Sequence, residues 1–303
     1  MPADTSSTPG RGQAWTVGEL LAWTTERFRQ AGIDEARVDA EHLLAEALGC
    51  KRFDLYVRHD RLLGEAERGP FRELVKRRLA REPVAYITGR RGFHALDLDL
   101  AVDRRVLIPR PETEHLVDWA LEHLPKPGDG LQVVDVGTGS GAIALAIKKA
   151  RPGARVVAVD RSPEALAVAS ANAERLGVDV EFRRSNLLAD VPPPAGGWDA
   201  VLANLPYIPS DELRGLAPEV RDFEPHLALD GGSTGLLLVE RLIRECAAPG
   251  VLAPGGRIFL EIGQGQAPAT GECLERAGFR EVQARRDYAG IERVVAGLAP
   301  AAG

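Results

Sequence analysis

Apolar positions in the first part of the chain recur three and four residues apart. Val17, Leu20, Leu21, Thr24 and Phe28 mark one buried helix face, and Thr16 with Glu19 supplies the reciprocal pair of a capping box. Together they predict a helix over 17–30. Val38, Leu43, Leu44, Ala47 and Leu48 predict a second helix that ends at Gly49, and Phe71, Leu74, Val75 and Leu79 a third that stops before Pro83. Residues 14–85 therefore read as a small helical bundle with Trp15 and Trp23 expected in its core. Its charges nearly balance, which suits a surface that holds a partner protein and equally a cap that stabilises a larger domain.

Between 86 and 106 the period shortens. Phe93, Leu96, Leu98, Leu100 and Val102 alternate with polar residues, as in a hairpin, and this stretch is expected to bridge two domains. From Pro111 onward strand and helix patterns take turns. Helices are predicted over 112–124, 142–150, 163–176, 236–247 and 267–277, and strands over 131–136, 155–159, 180–183, 200–203 and 257–262. Such alternation specifies an α/β fold with a parallel sheet covered on both faces. Two further strands, 281–284 and 292–296, are joined by a short link and predict a closing antiparallel hairpin.

The remaining bulk properties narrow the function classes. Residues 1–13 and 299–303 are expected to be disordered tails. The 303 residues carry 38 Lys and Arg against 44 Asp and Glu, a formal charge of -6, which argues against broad adhesion to nucleic acid or to an anionic membrane. Cys50, Cys246 and Cys273 fit neither a disulfide framework nor a zinc site, and their expected role is buried packing in a reducing cytosol. No apolar stretch is long enough to span a bilayer and the start of the chain lacks a signal pattern, so a cytoplasmic protein is expected. His42, His94 and His226 have no Asp or Cys partner at a telling spacing and receive no role.

Val133-Val134-Asp135-Val136 runs into Gly137-Thr138-Gly139-Ser140-Gly141, and Ala142 then opens a helix. Glycines there let a ligand approach the backbone, and the helix start offers free N–H groups. Asp160 closes the next strand, where a carboxylate accepts both ribose hydroxyls. The pattern binds a nucleoside, and both a nicotinamide dinucleotide and S-adenosylmethionine satisfy it. Asn204-Leu205-Pro206-Tyr207, at the expected mouth of a strand, separates the two. An Asn oxygen, a carbonyl held extended by the following proline and an aromatic ring match a planar NH2 group, which a methyltransferase must orient and a hydride-transfer enzyme has no evident use for. Asn186 and Leu187 follow the third strand, placed to edge and pack an adenine. Candidate cofactor residues are thus Gly137, Thr138, Gly139, Ser140, Gly141, Asp160, Asn186, Leu187 and Asn204, and candidate catalytic residues Asn204, Leu205, Pro206 and Tyr207. No metal is required.

At these residues the chain resembles the bacterial protein-(glutamine-N5) methyltransferases that modify class 1 peptide-chain release factors. Glu82-Pro83-Val84-Ala85-Tyr86-Ile87-Thr88-Gly89, Leu107-Ile108-Pro109-Arg110-Pro111-Glu112-Thr113-Glu114, Asp135 to Leu145, the Asn204 tetrapeptide, Phe223 to Leu229, Glu261-Ile262-Gly263 and Gly290-Ile291-Glu292-Arg293 carry the likeness in order. The resemblance implies a seven-stranded, Rossmann-like class I methyltransferase sheet over residues 107–298, and an N-terminal helical domain that helps grip the release factor. It also implies methylation of the glutamine amide in a Gly-Gly-Gln loop with S-adenosylmethionine, leaving S-adenosylhomocysteine. Sequence-specific nucleic-acid binding is not expected. Three positions depart from the family: Leu205 replaces a usual proline, Asn186 a common Asp, and Ser233-Thr234-Gly235 a segment that usually carries an Asp. Methylation of a ribosomal-protein glutamine or of a nucleobase amino group, and a non-catalytic partner-binding protein with a retained pocket, stay open as alternatives.

Overall fold

The computed structural model describes residues 15–94, 96–125 and 129–300, and the chain divides after Gly89 into two compact units. The first 14 residues and the last three, which include most of the expected disordered tails, lie outside the described residues.

The first unit contains β1 (Trp15–Thr16), α1 (Val17–Gln30), α2 (Ala36–Leu48), α3 (Arg52–Val57), β2 (Leu62–Leu63), α4 (Glu65–Leu79) and α5 (Val84–Thr88). Both halves of the capping box form: Glu19 N donates to Thr16 Oγ1 at 3.2 Å, and Thr16 N donates to Glu19 Oε2 at 2.8 Å. Gly49, left-handed at φ 59°, stops α2 as its position predicted. The core is Phe28, Leu43, Leu44 and Leu55, each fully buried and each worth ~1.5–3 kcal/mol of transfer free energy. Trp15 and Trp23 do not fill it. They meet edge to face at 6.2 Å and stay half-buried, Trp15 packing against the core from its edge, while α3 and β2, which no periodicity announced, contribute Leu55 and Leu63 to it.

The second unit begins with a hairpin, β3 (Arg90–Phe93) and β4 (Leu98–Ala101), followed by α6 (Pro111–His123), β5 (Gln132–Val136), α7 (Ala142–Ala150), β6 (Arg155–Asp160), α8 (Pro163–Leu176) and β7 (Glu181–Arg184). Then come β8 (Trp198–Asn204), α9 (Pro218–Arg221), α10 (Leu237–Cys246), β9 (Leu252–Glu261), α11 (Ala267–Arg276), β10 (Arg280–Arg286) and β11 (Glu292–Leu298). Seven strands form one sheet in the order β10-β11-β9-β8-β5-β6-β7, in which β11 alone runs antiparallel to the others, pairing that way with both β10 and β9, while the remaining pairs are parallel.

The hairpin belongs to this unit and does not bridge two domains. Ala101 N donates to Asn172 Oδ1 at 2.7 Å, Asn172 Nδ2 returns a bond to Ala101 O at 3.0 Å, and Leu98 and Leu100 are buried. The tail expected from Ala299 is likewise corrected at its start, since Ala299 is buried and donates to Gly256 O at 2.8 Å. Cys246 packs in the core, whereas Cys50 and Cys273 are only half-buried. No helix among the described residues is long and apolar enough to cross a membrane.

Parallel register decides what the site contains. Val201, Ala203, Ile258 and Leu260 share one core with Val239, Leu242 and Ile243 of α10. On the opposite face, Phe259 meets Trp119 of α6 edge to face at 5.9 Å. Side chains alternate along a strand, so Asn204 and Glu261, Cα partners at the ends of β8 and β9, belong to the face of Leu202 and Phe259.

Candidate active site

A cavity of about 1040 Å³, counting its open mouth, lies at the carboxyl ends of β5, β6 and β8. Ligands of open α/β sheets bind at this end. Gly137, Thr138, Gly139, Ser140, Asp160, Asn186, Leu187, Asn204, Leu205 and Pro206 all line it. Two sequence candidates do not.

Gly141 is the first. It sits at φ 87° at the start of α7, and a Cβ there would stand 3.3 Å from Ala169 Cβ and 3.2 Å from Leu145 Cδ1. The third glycine of the turn therefore serves close packing of α7 on α8. Tyr207 is the second. It lies beside the cavity, where a Cβ on Gly263 would approach its ring at 3.2 Å, and its carbonyl accepts from Gln266 Nε2 at 2.8 Å. Burial and the Glu261 charge push its hydroxyl up to about 12, so it stays protonated.

The turn is built from neighbours. Gly137, at φ 79°, accepts a conformation that costs other residues about 1–2 kcal/mol. A Cβ at that position would also stand 3.0 Å from Leu205 Cδ2. Gly139 at φ 56° has nothing within 4 Å of its Cβ position, which leaves its face open. Asp160 is fixed by Gly139 N at 3.0 Å and Ser162 N at 2.9 Å, one to each carboxylate oxygen. Burial pushes this carboxyl up, while the backbone donors pull it back. Asp135 lies beneath the turn: Thr138 Oγ1 donates to its Oδ2 at 2.6 Å and Ala144 N does so at 3.2 Å. Burial overrides both donors and pushes Asp135 up to about 7. Leu187 lines the cavity at φ 59°, a left-handed conformation rare for a branched side chain.

Asn204 is the last residue of β8 and does not open the loop, as the sequence had suggested. Its Nδ2 donates to Thr113 Oγ1 at 3.0 Å. Thr113 is buried in the first turn of α6. With the amide nitrogen so engaged, Oδ1 is left as an acceptor, and among the described residues nothing pairs with it or with the Leu205 carbonyl. The pair can take both hydrogens of one NH2 group. Leu205, where the resemblance implies a proline, fills the space beside Gly137 and is buried.

Arg110 and Glu224 lock the wall beside this notch. Arg110 Nη2 meets Glu224 Oε1 at 2.6 Å, and Ile108 N donates to the other oxygen at 3.4 Å. Two of the sequence segments that carried the resemblance, 107–114 and 223–229, thereby meet. Among the histidines, His94 has a partner that spacing did not reveal, Asp118 Oδ1 at 3.0 Å, but lies outside the cavity lining. Thr113 was missed as a site residue. Its family motif flagged the segment, but no local pattern singled out the side chain.

A carboxylate at one end, a glycine turn with an open face, apolar walls and an amide acceptor fit a nucleoside cofactor such as S-adenosylmethionine. Relatives agree. Residues 19–89 match the family described as the PrmC N-terminal domain, and residues 133–223 match one described as a methyltransferase domain. The chain is 42% identical over 287 residues to the release factor glutamine methyltransferase of Geobacter sulfurreducens, covering 94% of this chain and 97% of that one. It is 43% identical over 286 residues to the release factor glutamine methyltransferase of Gloeobacter violaceus, covering 91% and 97%. A methyltransferase structure from Pyrococcus furiosus is similar in fold, with a TM-score of 0.50 at 19% identity over 67% of this chain and 90% of that one.

Proposed function

We infer the reaction from one premise: this chain belongs to the release factor glutamine methyltransferase family. It is an enzyme that transfers a methyl group from S-adenosylmethionine to the side-chain amide nitrogen of the glutamine in the Gly-Gly-Gln motif of class 1 release factors. The observation that carries this reading is the pair of unpaired acceptors, Asn204 Oδ1 and the Leu205 carbonyl, in the cavity that also contains Asp160 and the glycine turn.

When bound, the cofactor supplies an electrophilic methyl group on a sulfonium. Asp160 would take the ribose hydroxyls, Gly137 to Ser140 would give the backbone room, and Asn186 with Leu187 would edge and pack the base. An amide nitrogen is a weak nucleophile because its lone pair is delocalised into the carbonyl. Asn204 Oδ1 and Leu205 O each accept one of its hydrogens, which returns density to nitrogen and aims it. Orientation of this kind is worth as much as ~7–11 kcal/mol of the barrier. The amide proton leaves to water after transfer.

We assign the first unit, residues 14–85 with the turn of α5, to holding the release factor. The support is a face of α3 on which Phe53 is 73% and Val57 69% exposed, apolar surface that the fold of that unit leaves uncovered. The substrate class places the reaction in the cytoplasm, where three free cysteines stay reduced.

Tritium transfer from labelled S-adenosylmethionine to purified release factor tests the reading. Label should enter the factor and be lost when its Gly-Gly-Gln glutamine is alanine. Absence of label, or label that survives the alanine change, overturns it.

A further inference from the structure

Leu187 holds a backbone conformation that its side chain disfavours. Among the described residues five other than glycine have a left-handed φ, namely Arg81, His94, Asp97, Leu187 and Glu281, and of these Leu187 alone lines the cavity, at φ 59°. A strained residue of this kind persists only where its surroundings over-determine it, and such residues gather at ligand clamps. The grip on Leu187 comes from α10. Arg241 Nη2 donates to the carbonyl of Asn186 at 3.2 Å, and Leu188 N donates to Glu245 Oε2 at 2.9 Å. One bond lies just before Leu187 and the other just after it.

The two gripping side chains are also tied to each other. Arg241 Nε donates to Glu245 Oε1 at 2.8 Å, an ion pair one helical turn apart. A pair of that kind stabilises its own helix only slightly. Here each partner turns a further atom to the backbone of the same loop, 55 and 57 residues away, so the pair forms a bracket around one residue. From the opposite side Ser185 N donates to Asp160 O at 3.0 Å, which suspends the turn between the end of β6 and α10. Leu187 and Leu188 pack into the core that holds Val239 and Leu242 of α10, while Asn186 stays exposed beside Leu187 on the cavity lining.

We propose that Arg241 and Glu245 are positioning residues for the base of the cofactor: together they hold the turn at 186–188 so that the Leu187 side chain packs against the base and Asn186 meets its edge. This rests on the methyl-transfer reading above and deepens it. Neither Arg241 nor Glu245 lines the cavity, so both act through the turn they hold. Without the carboxylate, Leu188 N loses its acceptor, the left-handed residue relaxes, and the leucine side chain leaves its place.

Calorimetry with S-adenosylhomocysteine reads the bracket without turnover. Glu245→Ala should weaken binding about 10-fold through loss of a hydrogen bond to a charged acceptor, and Arg241→Met about 3-fold. Glu245→Gln keeps an oxygen for Leu188 N and should stay within about 3-fold of wild type. In all three, kcat toward release factor at saturating cofactor should stay within about 2-fold, so that the loss falls on the KM for the cofactor. A double-mutant cycle separates positioning from general destabilisation. Leu187→Ala should itself weaken binding about 10-fold, and adding Glu245→Ala should worsen it by no more than about 3-fold, against a total of about 100-fold for independent effects. The same cycle with Arg241→Met serves if Glu245→Ala does not fold. In the cofactor-free protein, exchange of the Leu188 amide hydrogen, followed by NMR, should speed by about 10-fold or more in Glu245→Ala. Additive losses in the cycle, unchanged affinity in Glu245→Ala, or unchanged Leu188 exchange each overturn the proposal. Wild type that binds no S-adenosylhomocysteine sinks the cofactor reading as well, an outcome distinct from tight binding that Glu245→Ala leaves intact.

Discussion

The cavity has two walls, and they are held in place by different means. The wall we assign to the cofactor is, at the glycine turn, tied to itself: Thr138 bonds Asp135 three residues away, and Gly139 bonds Asp160 across 21 residues of one strand-helix-strand unit. The nucleophile wall is tied to distant parts of the chain. Asn204 is held by Thr113, 91 residues earlier, and Arg110 reaches Glu224 across 114 residues. The first wall therefore survives wherever its own loop folds, whereas the second exists only once α6, β8 and β9 have packed in register. Binding of the cofactor and presentation of the nucleophile should accordingly fail separately.

The largest effect is expected at the notch. Asn204→Ala should lower kcat by ~10²–10³ through loss of one aimed polar group, while cofactor affinity measured by calorimetry stays within about 3-fold. An equal loss of cofactor affinity would show that the walls are not independent. The converse change comes next: Asp160→Ala should weaken cofactor binding by about 10–100-fold, with kcat at saturating cofactor nearly unchanged. Smaller still is a substitution at the seam. Gly137→Ala forces a Cβ into a left-handed residue 3.0 Å from Leu205 Cδ2 and should cost about 1–3 kcal/mol in urea unfolding, with both binding and turnover reduced.

The smallest expected effect reads the buried charge under the cofactor wall. Asp135 is raised to about 7 in the folded protein, so the folded state binds its proton more tightly than the unfolded chain does. The stability this contributes is fully present below the ordinary Asp range and is lost as pH rises through 7. Asp135→Asn removes the dependence, so its stability relative to wild type should improve by about 1 kcal/mol between pH 6 and pH 7. A relative stability that is flat or falling over that interval would mean Asp135 is ionised when folded.

The same contrast explains what was legible in the chain. The helices at 17–30, 142–150 and 163–176 were read with the ends they have, because Thr16, Gly141, Ser162 and Gly177 sit at their termini. Short helices such as α3 and α5 carry too few residues to show a period and went unseen. The hairpin at 90–101 was recognised as a hairpin but misplaced as a bridge, since the Asn172 that anchors it is 71 residues from Ala101. Ten of the twelve sequence-named site residues line the cavity; Gly141 and Tyr207, adjacent in sequence to residues that do, are turned to packing and to the neighbouring Gly263.

Local stereochemistry let the sequence alone determine the α/β order, the glycine turn, the carboxylate at the end of the second sheet strand, and the place of Asn204 at a strand end. Each of these depends on residues close enough along the chain for backbone geometry to link them. Only the tertiary structure decided what holds the Asn204 amide, because Thr113 lies 91 residues earlier and comes within hydrogen-bond reach only when α6 packs beside the end of β8.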